Sequence, residues 1–172
     1  MPPPQSAAAQ APWRSVPLLL PSTYDHGQTS LRFCESVESG HSSHADSAQV
    51  ATLLQISAPP LRMDSQAKYC CLARGDAQIL LRLPGGLTGG GYKENIWDQA
   101  SGSLILTEAG GAVSDEEGMP LDFAVGAKLY NNTGVVAAIH PALLVEVVAA
   151  IRHIRQVAAQ EETTSLKTQS NC

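Results

Sequence analysis

Ile96-Trp97-Asp98-Gln99-Ala100-Ser101-Gly102-Ser103-Leu104-Ile105-Leu106-Thr107-Glu108-Ala109-Gly110-Gly111 is the stretch on which the fold turns. Trp97-Asp98 leads into a run that predicts a helix to Glu108, and Gly110-Gly111 lies where a helix stop is expected. Asp98 occupies the place of a capping carboxylate. Ala100, Ser101 and Gly102 leave the first turn nearly bare, so that another group can approach the backbone closely.

Downstream, Ala112–Ser114, a turn at Asp115-Glu116-Glu117-Gly118 and Leu121–Phe123 predict a hairpin. Gly134 to Ile139 is a short apolar run that fits a strand buried on both faces. A last helix starts with Pro141 at its first position and carries Leu143, Val147, Ile151, Ile154 and Ala158 on one stripe. Upstream, Ala77 to Leu83 reads as a strand, with Ile79, Leu81 and Leu83 on one face and Leu80 and Arg82 on the other. Arg82 then projects alone from an apolar strand. Gly85 to Gly91 is glycine-rich but fails both the GxGxxG and the GxxxxGK[ST] registers, so it reads as a loop insertion. Asp64-Ser65-Gln66-Ala67-Lys68 opens a helix that runs through Cys71 and Leu72 and stops at Gly75. Ser42-Ser43, Asp46, Val50, Leu53 and Leu54 predict a capped amphipathic helix ending before Pro59-Pro60. Helices alternate with strands, which is the signature of a layered α/β domain.

The chain has 172 residues, about one domain's worth, with 44% hydrophobic and 16% charged residues. Residues 1–30 hold six of the eleven prolines and only two charges, Arg14 and Asp25, so this segment is expected to be disordered. Residues 31–159 form the expected α/β domain, and 160–172 a polar tail. Eleven Lys and Arg against sixteen Asp and Glu give a net charge of -5. With the basic residues scattered, a nucleic acid polymer is disfavoured as partner. A small phosphorylated ligand needs only local positive charge and stays open. Cys34, Cys70, Cys71 and Cys172 show no metal-ligand or CxxC spacing. They read as reduced thiols, with Cys70 and Cys71 as buried small hydrophobes. No apolar run approaches the roughly 20 residues of a membrane span, and Val16–Leu20 is too short and proline-broken for a signal peptide. The expectation is a cytoplasmic protein without a membrane partner.

Few residues offer chemistry. Ser65 lies at a helix start and Lys68 three residues later, where free N–H groups and the helix dipole favour anions. A cation there opposes the dipole, so Lys68 either faces a phosphate or is an exposed surface lysine. Arg82 offers a planar fork for phosphate or carboxylate, or else lies on an edge strand facing water. Asp98 is a plain cap or a ligand for a hard cation such as Mg²⁺. His41 and His44 flank Ser42-Ser43, a pattern with many uses.

Together these blocks carry a resemblance. The quoted stretch is similar to the Trp-Asp-x-Ala-x-Gly … Glu-Ala-Gly-Gly signature of the lithium-sensitive, Mg²⁺-dependent inositol monophosphatase-like phosphatases. Glu38 to His44, Asp64 to Tyr69, Leu81 to Pro84 and Pro120 to Phe123 resemble the 3′(2′),5′-bisphosphate nucleotidases within that superfamily. The resemblance implies a layered α/β sandwich, the C-terminal domain of an inositol monophosphatase-like fold. It implies removal of the 3′-phosphate from 3′-phosphoadenosine 5′-phosphate, with Mg²⁺ as cofactor. It also implies that Asp98 is a metal ligand and that His41, Ser65, Lys68 and Arg82 contact the nucleotide.

The family's N-terminal half carries an acidic glutamate and an Asp-Pro-Ile-Asp-Gly-Thr motif that supply most metal ligands. This chain has no Asp-Pro dipeptide. The similarity runs from about Phe33 to Ile151, so the chain reads as the substrate-recognising half, its N-terminal domain missing or held by a partner chain. Turnover by this chain alone is expected to be low or absent. The rival readings are a non-catalytic nucleotide-binding module or partner subunit, and a phosphatase of inositol phosphates.

Overall fold

The computed structural model describes residues 30–38, 44–83 and 92–170, with side chains through 161. The segment 1–29, the Ser42-Ser43 cap, the Gly85–Gly91 loop and Cys172 lie outside the described residues.

Five strands form one sheet in the order β2-β1-β3-β5-β4. β1 (Phe33–Glu35) pairs in parallel with β2 (Leu61–Arg62) and with β3 (Ile79–Arg82). β3 and β4 (Ala112–Ser114) pair antiparallel with β5 (Val135–Ala138). The helices are α1 (His44–Leu53), α2 (Ala67–Arg74), α3 (Ala100–Glu108) and α4 (Pro141–Ser170). α2 packs on α3 and α1 on α4. Every residue of β5 and the Ile79–Leu81 segment of β3 is buried, so the sheet is covered on both faces. The α/β class expected from the alternation of elements is the one observed.

Local chemistry sets the element ends. Gly75 adopts φ 81, its N–H donates to the Leu72 carbonyl at 2.8 Å, and the Asp76 N–H donates to the Cys71 carbonyl at 2.9 Å. This is a Schellman stop, whose left-handed residue glycine adopts without a Cβ penalty. α4 begins at Pro141 as expected, and His140 Nδ1 accepts the Ala142 N–H at 3.1 Å. Leu143, Val147 and Ile151 are fully buried under the sheet. Ala158 is exposed, because the helix runs past the core; its last turns carry the polar segment from Gln160 to Ser170.

Four local expectations are corrected. Leu121–Phe123 is not a strand, and β4 pairs with β5 instead. The turn after β4 is closed by Asp115, whose Oδ1 accepts the N–H groups of Glu117 at 3.0 Å and Met119 at 2.8 Å. The next segment is held by the Asn132 side chain, which donates to the Pro120 carbonyl and accepts the Asp122 N–H. In α1 the buried residues are Asp46, Ser47 and Val50, while Leu53 is exposed, so that helix buries a mostly polar face. Cys71 is buried against Met63, but Cys70 points to solvent. Finally, β3 is a central strand, so Arg82 is not at a sheet edge.

Candidate functional site

A cleft of about 560 Å³ opens where the N-terminal ends of α2 and α3 meet the end of β3. Ser65, Lys68, Arg82 and Asp98 all line it, together with Ser36, Glu38, Asp64, Gln66, Tyr69 and Gln99. Four of the five residues singled out from sequence are therefore brought together by three separate elements. The fifth, His41, lies outside the described residues.

Lys68 is the most informative of them. It lies in the first turn of α2 and is only 6% exposed, which excludes a solvated surface lysine. Its Nζ donates to Ser36 Oγ at 3.2 Å. Burial first, and then the neighbouring Arg82 guanidinium, hold its ammonium below the usual lysine range. Lys68 and Arg82 thus share one concave site with the carboxylates of Glu38, Asp64 and Asp98, so any anion it takes is held by these two placed cations and not by an overall positive field.

Arg82 does not project alone. Its Nη2 donates to both carboxylate oxygens of Glu94 at 3.0 Å. Glu94 is buried and also accepts from Gln99 Nε2 at 2.8 Å, and Gln99 Oε1 accepts the Tyr69 hydroxyl at 2.6 Å. Sequence reading passed over Glu94, which follows the glycine-rich stretch. The signal was available: an arginine on an apolar strand needs an acid nearby, since an unpaired buried charge is costly.

Ser65 is displaced from the capping role by one position. Gln66 occupies the N-cap of α2, and Ser65 precedes it with φ 65, an uncommon conformation for a residue with a Cβ. Its Oγ still accepts the Ala67 N–H at 3.2 Å. The Ser65 hydroxyl is thus held at the cleft by a strained backbone.

Asp98 does not cap α3. It ends a 3-10 turn over Ile96–Asp98, and its Oδ2 accepts from Asn95 Nδ2 at 3.0 Å. The N-terminus of α3 is capped instead by Gln66 of α2. Gln66 Oε1 accepts the Gly102 N–H at 2.8 Å and the Ser101 hydroxyl at 2.6 Å, and Gln66 Nε2 donates to the Trp97 carbonyl at 2.8 Å. The bare first turn of α3 is thereby explained by helix packing: Gly102 lies against the Tyr69 ring. Among the described residues no group of three or more His, Cys, Asp or Glu side chains gathers to hold a metal ion. These residues do not by themselves fit a metal centre. No helix of the described residues is long and apolar enough to cross a membrane.

The model of the inositol monophosphatase family matches residues 9–156. The chain belongs to that family. This inositol monophosphatase-family chain is 55% identical over 107 residues to the 3′(2′),5′-bisphosphate nucleotidase of Schizosaccharomyces pombe, covering 62% of the chain and 30% of that protein. It is 52% identical over 122 residues to the 3′(2′),5′-bisphosphate nucleotidase of Emericella nidulans, covering 71% of the chain and 34% of that protein. The chain therefore spans about a third of the length of these relatives. Among solved structures, inositol monophosphatase-II of Staphylococcus aureus superposes with a TM-score of 0.56 at 15% identity, over 83% of this chain and 47% of that one. That likeness establishes the inositol monophosphatase fold expected from the sequence.

Proposed function

We propose that the chain is the nucleotide-gripping part of a 3′(2′),5′-bisphosphate nucleotidase, a cytosolic phosphomonoester hydrolase that converts 3′-phosphoadenosine 5′-phosphate to AMP. One observation carries the reading: Lys68 and Arg82, from different elements, converge in one cleft at the N-terminal end of α2. A nucleotide with two phosphates is a ligand that uses both cations. Lys68 supplies a partly desolvated point charge, Arg82 a planar fork, and Ser65 a hydroxyl within reach of the same space. His41 belongs to the same proposed contact set. The relatives named as bisphosphate nucleotidases support the substrate class over inositol phosphates.

Asp98 is proposed to present one carboxylate at the edge of the cleft, where it would touch a Mg²⁺ ion. Among the described residues no group of three or more His, Cys, Asp or Glu side chains gathers at that point, so no reaction step is assigned to the ion. The same fact favours a second reading for the isolated chain, in which it binds the nucleotide and leaves it intact.

Calorimetric titration with 3′-phosphoadenosine 5′-phosphate, alongside phosphate release with Mg²⁺, separates the outcomes. Binding weakened at least about tenfold in Lys68→Ala supports the nucleotide site. Phosphate release lost in Asp98→Ala supports hydrolysis by this chain, while binding without release supports the module. Equal affinity in wild type and Lys68→Ala removes the nucleotide reading.

A further inference from the structure

The Arg82–Glu94 pair has an asymmetry. Both residues are withdrawn from solvent, but Arg82 keeps 18% of its side chain exposed and lines the cleft, whereas Glu94 is 3% exposed and does not. Glu94 thus stands behind Arg82. The two contacts, at 3.0 Å each, both run to Nη2, so one edge of the guanidinium is pinned from the protein side. We propose that Glu94 is a positioning residue, fixing the Arg82 guanidinium in the orientation in which it grips one phosphoryl group of the bisphosphate nucleotide. The inference rests on the nucleotide reading of the cleft.

Three features support it. An arginine side chain has many rotamers, and ordering it only when ligand arrives costs affinity; a preformed orientation avoids that loss. Glu94 is itself held. A carboxylate only accepts, so the Gln99 amide must turn its Nε2 toward Glu94, which leaves Oε1 to accept the Tyr69 hydroxyl. Burial, and then the charge of Glu94, push the Tyr69 phenol up, so it stays a donor. In the network Tyr69–Gln99–Glu94–Arg82 the donors therefore converge on the Glu94 carboxylate from both ends, and it ties α2, the segment before α3 and β3 together.

The third feature is charge. Arg82 and Lys68 repel each other across the cleft, and Glu94 acts on Lys68 in the opposite sense. A neutral residue at 94 would leave two cations facing a partly dry cavity with less compensation.

The test is a double-mutant cycle on the full chain, read by titration with 3′-phosphoadenosine 5′-phosphate. Glu94→Gln and Arg82→Ala are each expected to weaken binding at least about tenfold. The double variant is expected within about twofold of Arg82→Ala, because without the guanidinium nothing is left for Glu94 to orient. Losses that multiply in the double variant indicate a general packing role and overturn the proposal. A second readout needs no ligand: nitrogen-edited NMR of the wild type is expected to show resolved, slowly rotating Arg82 Nη protons. Averaged Arg82 signals in the wild type overturn the proposal even if the variants do not fold. Resolved Arg82 signals in a wild type that binds no nucleotide support the positioning role and overturn the nucleotide reading instead.

Discussion

A Cβ added to Gly102 would fall 2.2 Å from Cδ2 of Tyr69. The crossing of α2 over α3 depends on that missing methyl group, and the cleft depends on the crossing, because Gln66 and Tyr69 on one side and Gln99 on the other line it. Tyr69 is 2% exposed and its hydroxyl is engaged, so the ring has nowhere to retreat. Overpacking of this kind costs about 1–3 kcal/mol, against a gain of about 1 kcal/mol for replacing a helical glycine by alanine. Gly102→Ala is therefore expected to lower the midpoint of denaturant unfolding. An unchanged or raised midpoint would show that the two helices can part without cost.

Lys68 carries a pH dependence of definite sign. Its folded-state pKa lies below the ordinary value of 10.5, through burial and then Arg82. Below that folded pKa the lysine is charged in both states, and its desolvation cost is fully present. Between the folded pKa and the unfolded one, the unfolded chain binds more protons, so stability rises with pH. That rise is expected to disappear in Lys68→Met, as measured by urea unfolding at alkaline pH.

Ligand affinity runs the other way. An anionic ligand needs the ammonium, so affinity is expected to fall as pH rises through the folded pKa of Lys68, by up to about tenfold per pH unit above it. Lys68→Arg keeps its charge throughout that window and is expected to flatten the profile. Titrations with 3′-phosphoadenosine 5′-phosphate at a series of alkaline pH values check this, and an equal slope in both proteins would contradict it.

Ser65 combines a hydroxyl at the cleft with φ 65. A left-handed conformation costs a residue with a Cβ roughly 1–2 kcal/mol relative to glycine. Ser65→Gly is expected to be more stable than Ser65→Ala by about that amount, since both lose the hydroxyl and only one relieves the backbone. Both are expected to bind nucleotide less well than wild type. Thermal unfolding and calorimetry on the pair separate the two contributions.

Features fixed by near neighbours were legible in the sequence, and features fixed by distant ones were not. Gly75 after Arg74 stops α2, and the apolar run before Ile139 makes a strand buried on both faces, because each depends on a few adjacent residues. Four cleft residues were also within reach, since Ser65, Lys68, Arg82 and Asp98 stood out as polar groups at element ends. The capping role given to Asp98 was misread because the cap of α3 comes from Gln66, at the start of another helix. The partner of Ala112–Ser114 was misassigned for a similar reason: β4 finds β5 across an intervening loop, and nothing local to it announces the pairing. Arg82 looked solitary because Glu94 reaches it only after the chain has folded back on itself.

The central claim is that Lys68 and Arg82 form one anion-gripping cleft. The most direct measurement is chemical-shift mapping of the isotope-labelled chain titrated with 3′-phosphoadenosine 5′-phosphate. The account predicts saturable shifts concentrated at the Ser65–Tyr69 amides and the Arg82 guanidinium. Shifts confined to other parts of the chain, with those signals unmoved at saturation, would contradict it.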